Sequence, residues 1–171
     1  IAQLRPRGRG NTRLPRIVAG LSRKTSGSVL IGGHEVTEPL GDYGFVFQSP
    51  SLMPWRSVID NVLFTMEILK RNDRAARERA KELLNLVGLS GFLDARPHQL
   101  SGGMQQRVAL CRALIHQPKL LLMDEPFGAL DAKIREELRR TIREIQRELD
   151  MTTILVTHDQ EEAFALGDRL G

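Results

Sequence analysis

Cysteine, aromatic residues and long apolar runs are all scarce in this sequence. Cys111 is the only cysteine among the 171 residues, so a disulfide within the chain is excluded and a reducing compartment fits the composition. Because Cys111 falls on the apolar side of a predicted helix, we expect it to have a buried packing role. No apolar run approaches the roughly 18 to 20 residues that a membrane-spanning helix needs. Any membrane role is therefore expected to depend on a partner.

The composition otherwise fits one folded domain with an uneven distribution of arginine. An apolar fraction of 41% and a charged fraction of 27% are ordinary for a globular chain, and the length favours a single domain. The net charge of +4 comes largely from arginine, which is concentrated near the start of the chain at Arg5, Arg7, Arg9, Arg13 and Arg16. Such a cluster indicates either an attraction to nucleic acid or acidic lipid, or a solvated or damaged loop.

Short apolar runs alternate with helical patterns along the chain. The runs that predict strands lie at residues 1–4, 28–31, 45–47, 120–124 and 154–157, and helical spacing predicts helices at 58–70, 73–87 and 132–149. Another helix is expected to begin at Ser101, and a first one to end at Gly20, with Pro15 tolerated only in its first turn. The alternation predicts an α/β fold with a largely parallel sheet. Ligands of such sheets bind beyond the carboxyl ends of the strands, where Gln48, Asp124 and His158 fall.

Two stretches favour phosphate chemistry. Ser101 is a suitable N-cap, and Gly102 and Gly103 allow a phosphate or another backbone to come close. A helix start carries partial positive charge and free N–H groups, so an anion is expected to dock there. The strand that follows this helix ends in two consecutive carboxylates, Asp124 and Glu125.

Five motifs, in order, resemble the nucleotide-binding domain of ABC transporters. LSGGMQ at residues 100–105 is similar to the family signature, LLLMDEP at 120–126 to the Walker B strand, and GALD at 128–131 to the D-loop. VTHD at 156–159 resembles the switch-histidine motif and FQ at 47–48 the Q-loop. The resemblance covers essentially the whole chain. It implies a P-loop NTPase-like fold, with a RecA-like core from residues 1–48 and 119–171 and a small helical lobe with the Q-loop within 49–118.

The resemblance implies an ATPase that uses ATP and Mg²⁺. Asp124 is expected to position Mg²⁺, directly or through water, and Glu125 to act as general base on the attacking water. His158 is expected to contact the γ-phosphate, and Gln48 to sense Mg²⁺ or water and to couple to the transport subunit. The plainer alternatives are two carboxylates that cap the following turn, a histidine satisfied in the core and an ordinary loop amide.

The resemblance also implies that a working site needs two chains. In this family Ser101, Gly102 and Gly103 face the ATP held by a second nucleotide-binding domain, so that two ATP molecules are sandwiched head to tail. Gln105 of the same signature and Asp131 of the D-loop are expected to belong to this nucleotide site. Asp131 is equally suited to cap the next helix, and both roles can hold. The second domain is either an identical chain or a different one.

The implied partners are transmembrane permease subunits and, indirectly, a solute-binding protein. ATP favours the closed dimer and hydrolysis releases it, a population shift that moves the membrane subunits. The chain would therefore lie at the cytoplasmic face of the membrane, attached through the permease. Trp55 and its proline-rich loop are candidates for that contact or for local packing. The segment at residues 45–61 is similar to importers of the nitrate, sulfonate and taurine type.

The phosphate loop departs from the pattern G-x-x-x-x-G-K-[ST]. RPRGRGNT at residues 5–12 occupies its place; the residues expected to bind phosphate or Mg²⁺ there are Gly8, Gly10, Asn11 and Thr12. Arg5 replaces the first glycine and Asn11 replaces the lysine, and losing preorganised charge at a phosphate costs on the order of several kcal/mol of transition-state stabilisation. The departure predicts weak ATP binding and poor hydrolysis at this loop, with the signature still fit to complete a partner's site.

Three functions fit these motifs. The first is the ATPase subunit of an ABC importer, and the second is a degenerate subunit that binds and regulates without hydrolysis. The third is a nucleic-acid-associated ABC ATPase, against which the low aromatic fraction of 5% and the absence of tandem domains speak; no nucleic-acid partner is expected. The chain is expected to be cut at both ends, since it starts at Ile1 within a predicted strand.

Overall fold

The computed structural model describes residues 2–4, 13–31, 33–38, 43–128, 130–149 and 151–170. In that part of the chain the strands are β1 (Ala2–Leu4), β2 (Leu30–Ile31), β3 (His34–Glu35), β4 (Tyr43–Val46), β5 (Leu120–Asp124) and β6 (Thr152–Thr157). The helices are α1 (Arg13–Val18), α2 (Val58–Ile68), α3 (Arg74–Leu86), α4 (Gly102–Leu114), α5 (Ala132–Leu149) and α6 (Gln160–Leu166). Short 3₁₀ turns at Ser90–Phe92 and Pro97–Gln99 connect α3 to α4.

Four strands form one parallel sheet in the order β1-β6-β5-β4, and β2 and β3 form a separate antiparallel hairpin. Every residue of β5 is buried, as its uninterrupted apolar run predicts for a strand covered on both faces. Leu122 in β5 pairs with Phe45 in β4 on one side and with Ile154 in β6 on the other. The predicted α/β fold with a largely parallel sheet is confirmed.

Caps and left-handed residues set the ends of the helices. Asp73 caps α3 by accepting a backbone N–H from its first turn, and Gly88 follows the helix with a φ of 73°. Both ends agree with the prediction. Helix α2 ends at Ile68, two residues before the predicted end, because Lys70 adopts a φ of 55°, which an α-helix cannot continue through.

Helix α1 contains Pro15, which does not interrupt it. The Pro15 carbonyl accepts the Ala19 N–H at 2.8 Å, and Pro15 lies in the first described turn of the helix. Gly20 then follows with a φ of 73°, so the predicted helix end at this glycine is confirmed.

One apolar core joins α2, α3 and α4 to the sheet and to α5. Its largest fully buried side chains include Ile59, Leu84, Leu110, Leu121 and Phe127. Cys111 is also fully buried, and its Sγ lies 3.5 Å from the Leu83 carbonyl, so its predicted packing role is confirmed. Because this core is continuous, the division into a RecA-like core and a helical lobe stays a prediction.

Gly44 lets the edge strand β4 approach helix α4. A Cβ atom at this position would lie 2.4 Å from the carbonyl oxygen of Ala113, which belongs to the helix backbone and cannot rotate away. Strand β4, which leads to Gln48, therefore packs directly against the backbone of α4.

The shortest elements were not revealed by the sequence pattern. Strand β3 has two residues, α6 has seven and the 3₁₀ turns have three each, which is too few for a hydrophobic period to repeat. Within the described ranges, no helix combines the length and the apolar character required to cross a membrane.

Candidate functional site

The carboxyl ends of β4, β5 and β6 bring predicted site residues to one edge of the sheet. Gln48 follows β4, Asp124 ends β5, and His158 follows β6. Glu125 lies between two of them: Gln48 Nε2 donates to Glu125 Oε2 at 3.4 Å, and His158 Nδ1 lies 3.4 Å from Glu125 Oε1. Residues far apart in sequence meet here because parallel strands end at the same edge. The result is one carboxylate with a nitrogen atom next to each of its oxygens.

The backbone holds Glu125 at this position. Its N–H donates to the Val156 carbonyl at 2.9 Å, which extends the bonding between β5 and β6 one residue past the end of β5. Its φ of 47° is left-handed, a conformation uncommon for any residue other than glycine and found at strained functional sites. The chain then turns back, with the Gly128 N–H donating to the Glu125 carbonyl at 3.2 Å. The Glu125 side chain is 18% exposed, so water can reach the carboxylate.

Asp124 provides a carboxylate for a divalent cation at the same edge. It is 3% exposed at the end of β5. Among the residues that the structure describes, no three His, Cys, Asp or Glu side chains are grouped so that they could hold a metal by themselves. Mg²⁺ usually needs no such group, since it binds through one or two carboxylates and completes its octahedron with phosphate oxygens and water. Asp124 therefore fits a Mg²⁺ ion that is bound together with a nucleotide, and the Gln48 amide oxygen stays a predicted further ligand.

The predicted phosphate-loop residues Gly8, Gly10, Asn11 and Thr12 lie outside the described residues. The strand before them, β1, ends at the same edge of the sheet as His158, because Leu4 pairs in register with Thr157. The helix after them, α1, contacts β5. The roles of these four residues stay predictions.

The start of α4 is a second predicted site, built from other elements. Ser101 caps α4, since its Oγ accepts the Met104 N–H at 3.3 Å. Ser101 and Gly102 are exposed, whereas Gly103 is buried. A Cβ atom on Gly103 would lie 2.1 Å from Cγ2 of Ile134 in α5. Gly103 therefore has a packing role within its own chain, which the sequence reasoning missed.

Gln105 and Asp131 also make contacts within the chain. Gln105 Nε2 donates to the carbonyls of Pro97 at 2.9 Å and Leu100 at 3.3 Å, so its amide nitrogen holds the turn before α4. Asp131 Oδ1 accepts the Ile134 N–H at 3.0 Å, which confirms its role as a cap of α5. Asp131 is exposed, and contact of either residue with a nucleotide stays a prediction.

Two side chains of α4 that the sequence reasoning did not single out hold the loop around Gln48. Gln106, which is 2% exposed, donates Nε2 to the Phe47 carbonyl at 2.9 Å. Arg112 donates to the carbonyls of Pro50 and Ser51 at 2.8 and 2.9 Å, and its burial lowers the pKa of the guanidinium. The sequence pattern that could have indicated this role is a polar residue, Gln106, on the apolar side of a predicted helix.

The rest of this loop is held by Asn61, which is fully buried in α2. Its Oδ1 accepts the Met53 N–H at 2.8 Å, and its Nδ2 donates to the carbonyls of Met53, Arg56 and Ser57. The loop therefore has a defined conformation in which Trp55 is 70% exposed. This exposure speaks against local packing of the Trp55 ring, and contact of Trp55 with a permease stays a prediction.

A buried carboxylate lies in the first turn of α6. Glu162 is 3% exposed and accepts a hydrogen bond from Thr157 Oγ1. Burial raises the pKa of Glu162; the Thr157 hydroxyl and the cations Arg135 and Arg139 oppose the rise, and Asp159 adds to it. The folded chain therefore retains this proton to a higher pH than the unfolded chain does.

The raised pKa of Glu162 makes stability depend on pH in a defined direction. Between the ordinary glutamate pKa of about 4.3 and the raised value, the unfolded state binds fewer protons than the folded state, so stability falls as pH rises. Glu162→Gln keeps an acceptor for Thr157 and removes this titration. In urea denaturation from pH 4 to 7, the wild-type free energy of unfolding is expected to fall relative to that of the variant. Exposed Glu161→Gln is the control, and parallel wild-type and Glu162→Gln curves would contradict the prediction.

The contact of Gly103 with Ile134 can be tested without nucleotide. Gly103→Ala is expected to lower the free energy of unfolding by about 1–3 kcal/mol, the usual cost of overpacking. Gly102→Ala is the matched control, because its Cβ would meet only Leu130 Cδ2 at 3.8 Å, an ordinary contact. Adding Ile134→Ala to Gly103→Ala removes the clashing methyl, so the double variant should lose less stability than the two single losses combined. Equal urea midpoints for the two glycine variants would show that the contact is wrong.

Comparison with known sequences adds a family and named relatives. A family model described as ABC transporter matches residues 6–128.

The sulfate/thiosulfate import ATP-binding protein CysA 2 of Agrobacterium fabrum is 50% identical over 175 residues, which cover 99% of this chain and 51% of that protein. The protein CysA of Neisseria meningitidis, with the same description, is 48% identical over 177 residues, covering 99% and 50%. The chain thus spans about half the length of the curated relatives it matches. Neither relative is named for nitrate, sulfonate or taurine, so they lend that narrower resemblance no support.

A solved structure has the same architecture. It is a dimeric, post-hydrolysis state of the ATP-binding cassette MJ0796 bound to ADP and phosphate, with a TM-score of 0.83, 32% sequence identity, and coverage of 99% of this chain and 78% of that chain. This similarity confirms the P-loop NTPase-like fold. The ordered motifs, the parallel sheet that assembles Gln48, Glu125 and His158, and the family match together show that this chain belongs to the ABC transporter family.

Proposed function

We propose that this chain provides the ATP-binding and ATP-hydrolysing part of an ABC importer, and that it couples hydrolysis to transport of a small solute. The observation that carries the proposal is the Glu125 carboxylate, contacted by Gln48 and His158 and adjacent to the buried Asp124. The description of the relatives as import ATP-binding proteins supports the same conclusion.

Glu125 is the proposed general base. Its carboxylate is reachable by water and lies 3.4 Å from nitrogen atoms of Gln48 and His158, which hold it in one orientation. His158 is placed to contact the terminal phosphate as well. When Mg²⁺ is bound with the nucleotide it neutralises phosphate charge, and Asp124 is the carboxylate of this chain that would hold it.

A second chain is proposed to complete the site. Ser101 and Gly102 are exposed at the N-terminus of the thirteen-residue helix α4, where free backbone N–H groups favour an anion. Asp131 is exposed and lies near Ser101 and Gly102. Its neighbour Leu130 has Cδ2 3.8 Å from the position that a Cβ atom on Gly102 would take. A surface with both features fits the nucleotide held by a second chain, identical or different. The dimeric state of the ADP-bound structural relative supports this arrangement.

The transported solute is proposed to be sulfate or thiosulfate rather than nitrate, a sulfonate or taurine. The names of the relatives support this choice. Selection itself would belong to the membrane and solute-binding subunits, so this chain would supply energy and no specificity.

Permease docking is proposed for the Trp55 loop, at the cytoplasmic face of the membrane. Trp55 is 70% exposed, although the loop around it is held by Asn61 and Arg112. A rigid loop with an exposed aromatic ring is a suitable anchor for a partner, because little conformational entropy is lost on binding.

A non-hydrolysing, regulatory subunit is the second candidate function. The observation that favours it is the replacement of the phosphate-loop glycine and lysine by Arg5 and Asn11. Such a chain would bind ATP weakly and would still offer Ser101 and Gly102 to a partner.

Hydrolysis of Mg-ATP separates the two candidates. The unaltered chain is expected to hydrolyse ATP slowly, and Arg5→Gly with Asn11→Lys is expected to raise kcat, because the lysine restores charge at the terminal phosphates. In this loop-restored chain, Glu125→Gln is expected to lower kcat by about 10²–10⁴-fold, the contribution of a general base. Glu144→Gln, on the exposed side of α5, is the matched control and should leave kcat unchanged.

Two outcomes would change this conclusion. Absence of ATP hydrolysis by the unaltered chain, both alone and with permease subunits, would replace the ATPase by the regulatory candidate. Tight Mg-ATP binding by the unaltered chain would contradict the prediction that its phosphate loop binds ATP weakly. The proposed roles of Glu125 and His158 would not be affected.

The docking loop can be tested with permease subunits of a sulfate importer in detergent. Trp55→Ala is expected to weaken binding of the chain by at least about thirtyfold, the loss typical of an aromatic anchor, with the ATPase rate of the free chain unchanged. Phe164→Ala removes another aromatic ring, 66% exposed on α6, and should bind like wild type. Equal affinities for the two variants would remove Trp55 from the contact.

A further inference from the structure

Arg135, in the first part of α5, joins two segments that carry different motifs. Its Nη2 donates to the Leu130 carbonyl at 3.1 Å, and its Nη1 lies 3.2 Å from Asp159 Oδ2. Its Nε lies 3.8 Å from Glu162 Oε1. One guanidinium therefore contacts the segment before α5, which contains Asp131, and the turn after β6, which contains His158.

The turn that carries His158 depends on Asp159. Asp159 Oδ1 accepts the N–H groups of Glu161 and Glu162 at 2.9 and 3.3 Å and so caps α6. The Asp159 N–H donates to Thr157 Oγ1 at 3.1 Å, and the same hydroxyl donates to Glu162. With one carboxylate oxygen committed to the cap, the other oxygen is the one that Arg135 contacts. The orientation of this turn is thus tied to Arg135 through a residue directly adjacent to His158.

We propose that Arg135 is a positioning residue for ATP hydrolysis, which ties the His158 turn to the Leu130–Asp131 segment and so aligns His158 with Glu125. His158 Nδ1 lies 3.4 Å from Glu125 Oε1. A change in the orientation of the His158 turn would therefore alter this contact. The inference rests on the proposed ATPase function. The inference also links the exposed Asp131 to the His158 turn. A second chain that contacts the Leu130–Asp131 segment would shift the Leu130 carbonyl, to which Arg135 donates.

The geometry requires the guanidinium and not only its charge. The planar guanidinium donates in several fixed directions, so Arg135 can contact Leu130 and Asp159 at once, whereas a lysine ammonium is a compact point charge on a flexible stem. The Arg135 and Asp159 side chains are 30% and 27% exposed, and an ion pair that water can reach usually contributes little to stability. The main effect of Arg135→Lys is therefore expected at His158 and in turnover, and not in the unfolding midpoint.

The imidazole signals of His158 test the inference without turnover. The chain has four histidines, so labelled imidazole resonances can be resolved by NMR and the His158 signal assigned with His158→Gln. Arg135→Lys and Arg135→Gln are expected to shift the His158 signal in the unaltered chain. Arg140→Lys and Arg140→Gln, on an exposed position of the same helix, are the matched controls and should leave it unchanged.

Kinetics in the loop-restored chain give the second readout. Arg135→Lys is expected to lower kcat about tenfold, the scale of a small misplacement of a catalytic group, with KM for ATP unchanged because Arg135 is not placed at the nucleotide. Arg135→Gln is expected to lower kcat at least as much.

An unshifted His158 signal in both Arg135 variants overturns the inference, whether or not the chain hydrolyses ATP. A shifted signal with normal kcat and KM also overturns it, since the contact would then not serve hydrolysis. Absence of hydrolysis in the loop-restored chain with Arg135 intact is a failure of the proposed function instead, and the histidine signal alone then decides whether Arg135 holds the turn.

Discussion

The pairing of β5 with β6 is the constraint on which the rest of the site depends. Asp124 lies opposite Val156, and the Glu125 N–H donates one further hydrogen bond to the Val156 carbonyl before the chain turns away. This last bond fixes the backbone from which the Glu125 side chain extends. The end of β6 fixes the backbone position of His158. A shift of one residue in this register would face each side chain to the opposite side of the sheet. The apolar burial of both strands, which fixes the register, is therefore also what fixes the distance between the Glu125 carboxylate and the His158 ring.

Much of this fold could be predicted from the sequence, because its long elements have clear periods and caps. The amphipathic stripe of α5 and the apolar run of β5 indicate these two elements, and Ser101 marks the start of α4. The convergence of Gln48, Asp124 and His158 followed from a general property of parallel sheets. The hairpin of β2 with β3 and the short helix α6 lay below the length at which a pattern repeats.

The residues that the sequence reasoning missed share a physical reason. Gln106 and Arg112 donate to backbone carbonyls of a loop about sixty residues earlier, and Asn61 bonds to backbone groups of the loop just before it. A backbone group has no side-chain identity that a sequence could display. The sequence predicts that Gly103 admits a phosphate or another backbone, whereas its nearest constraint in the fold is a methyl group of Ile134, thirty-one residues further along the chain. Contacts of this kind depend on which helices become neighbours, and that is decided by the whole core.

The seating of Gly103 on Ile134 has a mechanical consequence. Because Gly103 has no side chain, the Ile134 side chain at the start of α5 packs directly against the backbone of α4, and Arg107 adds an ion pair to Glu137 at 2.8 Å one turn further along. These contacts join the two chain segments that present Ser101 and Asp131, so a tilt of one helix start would disturb its packing on the other. A second chain that binds this surface would therefore act on both helix starts together.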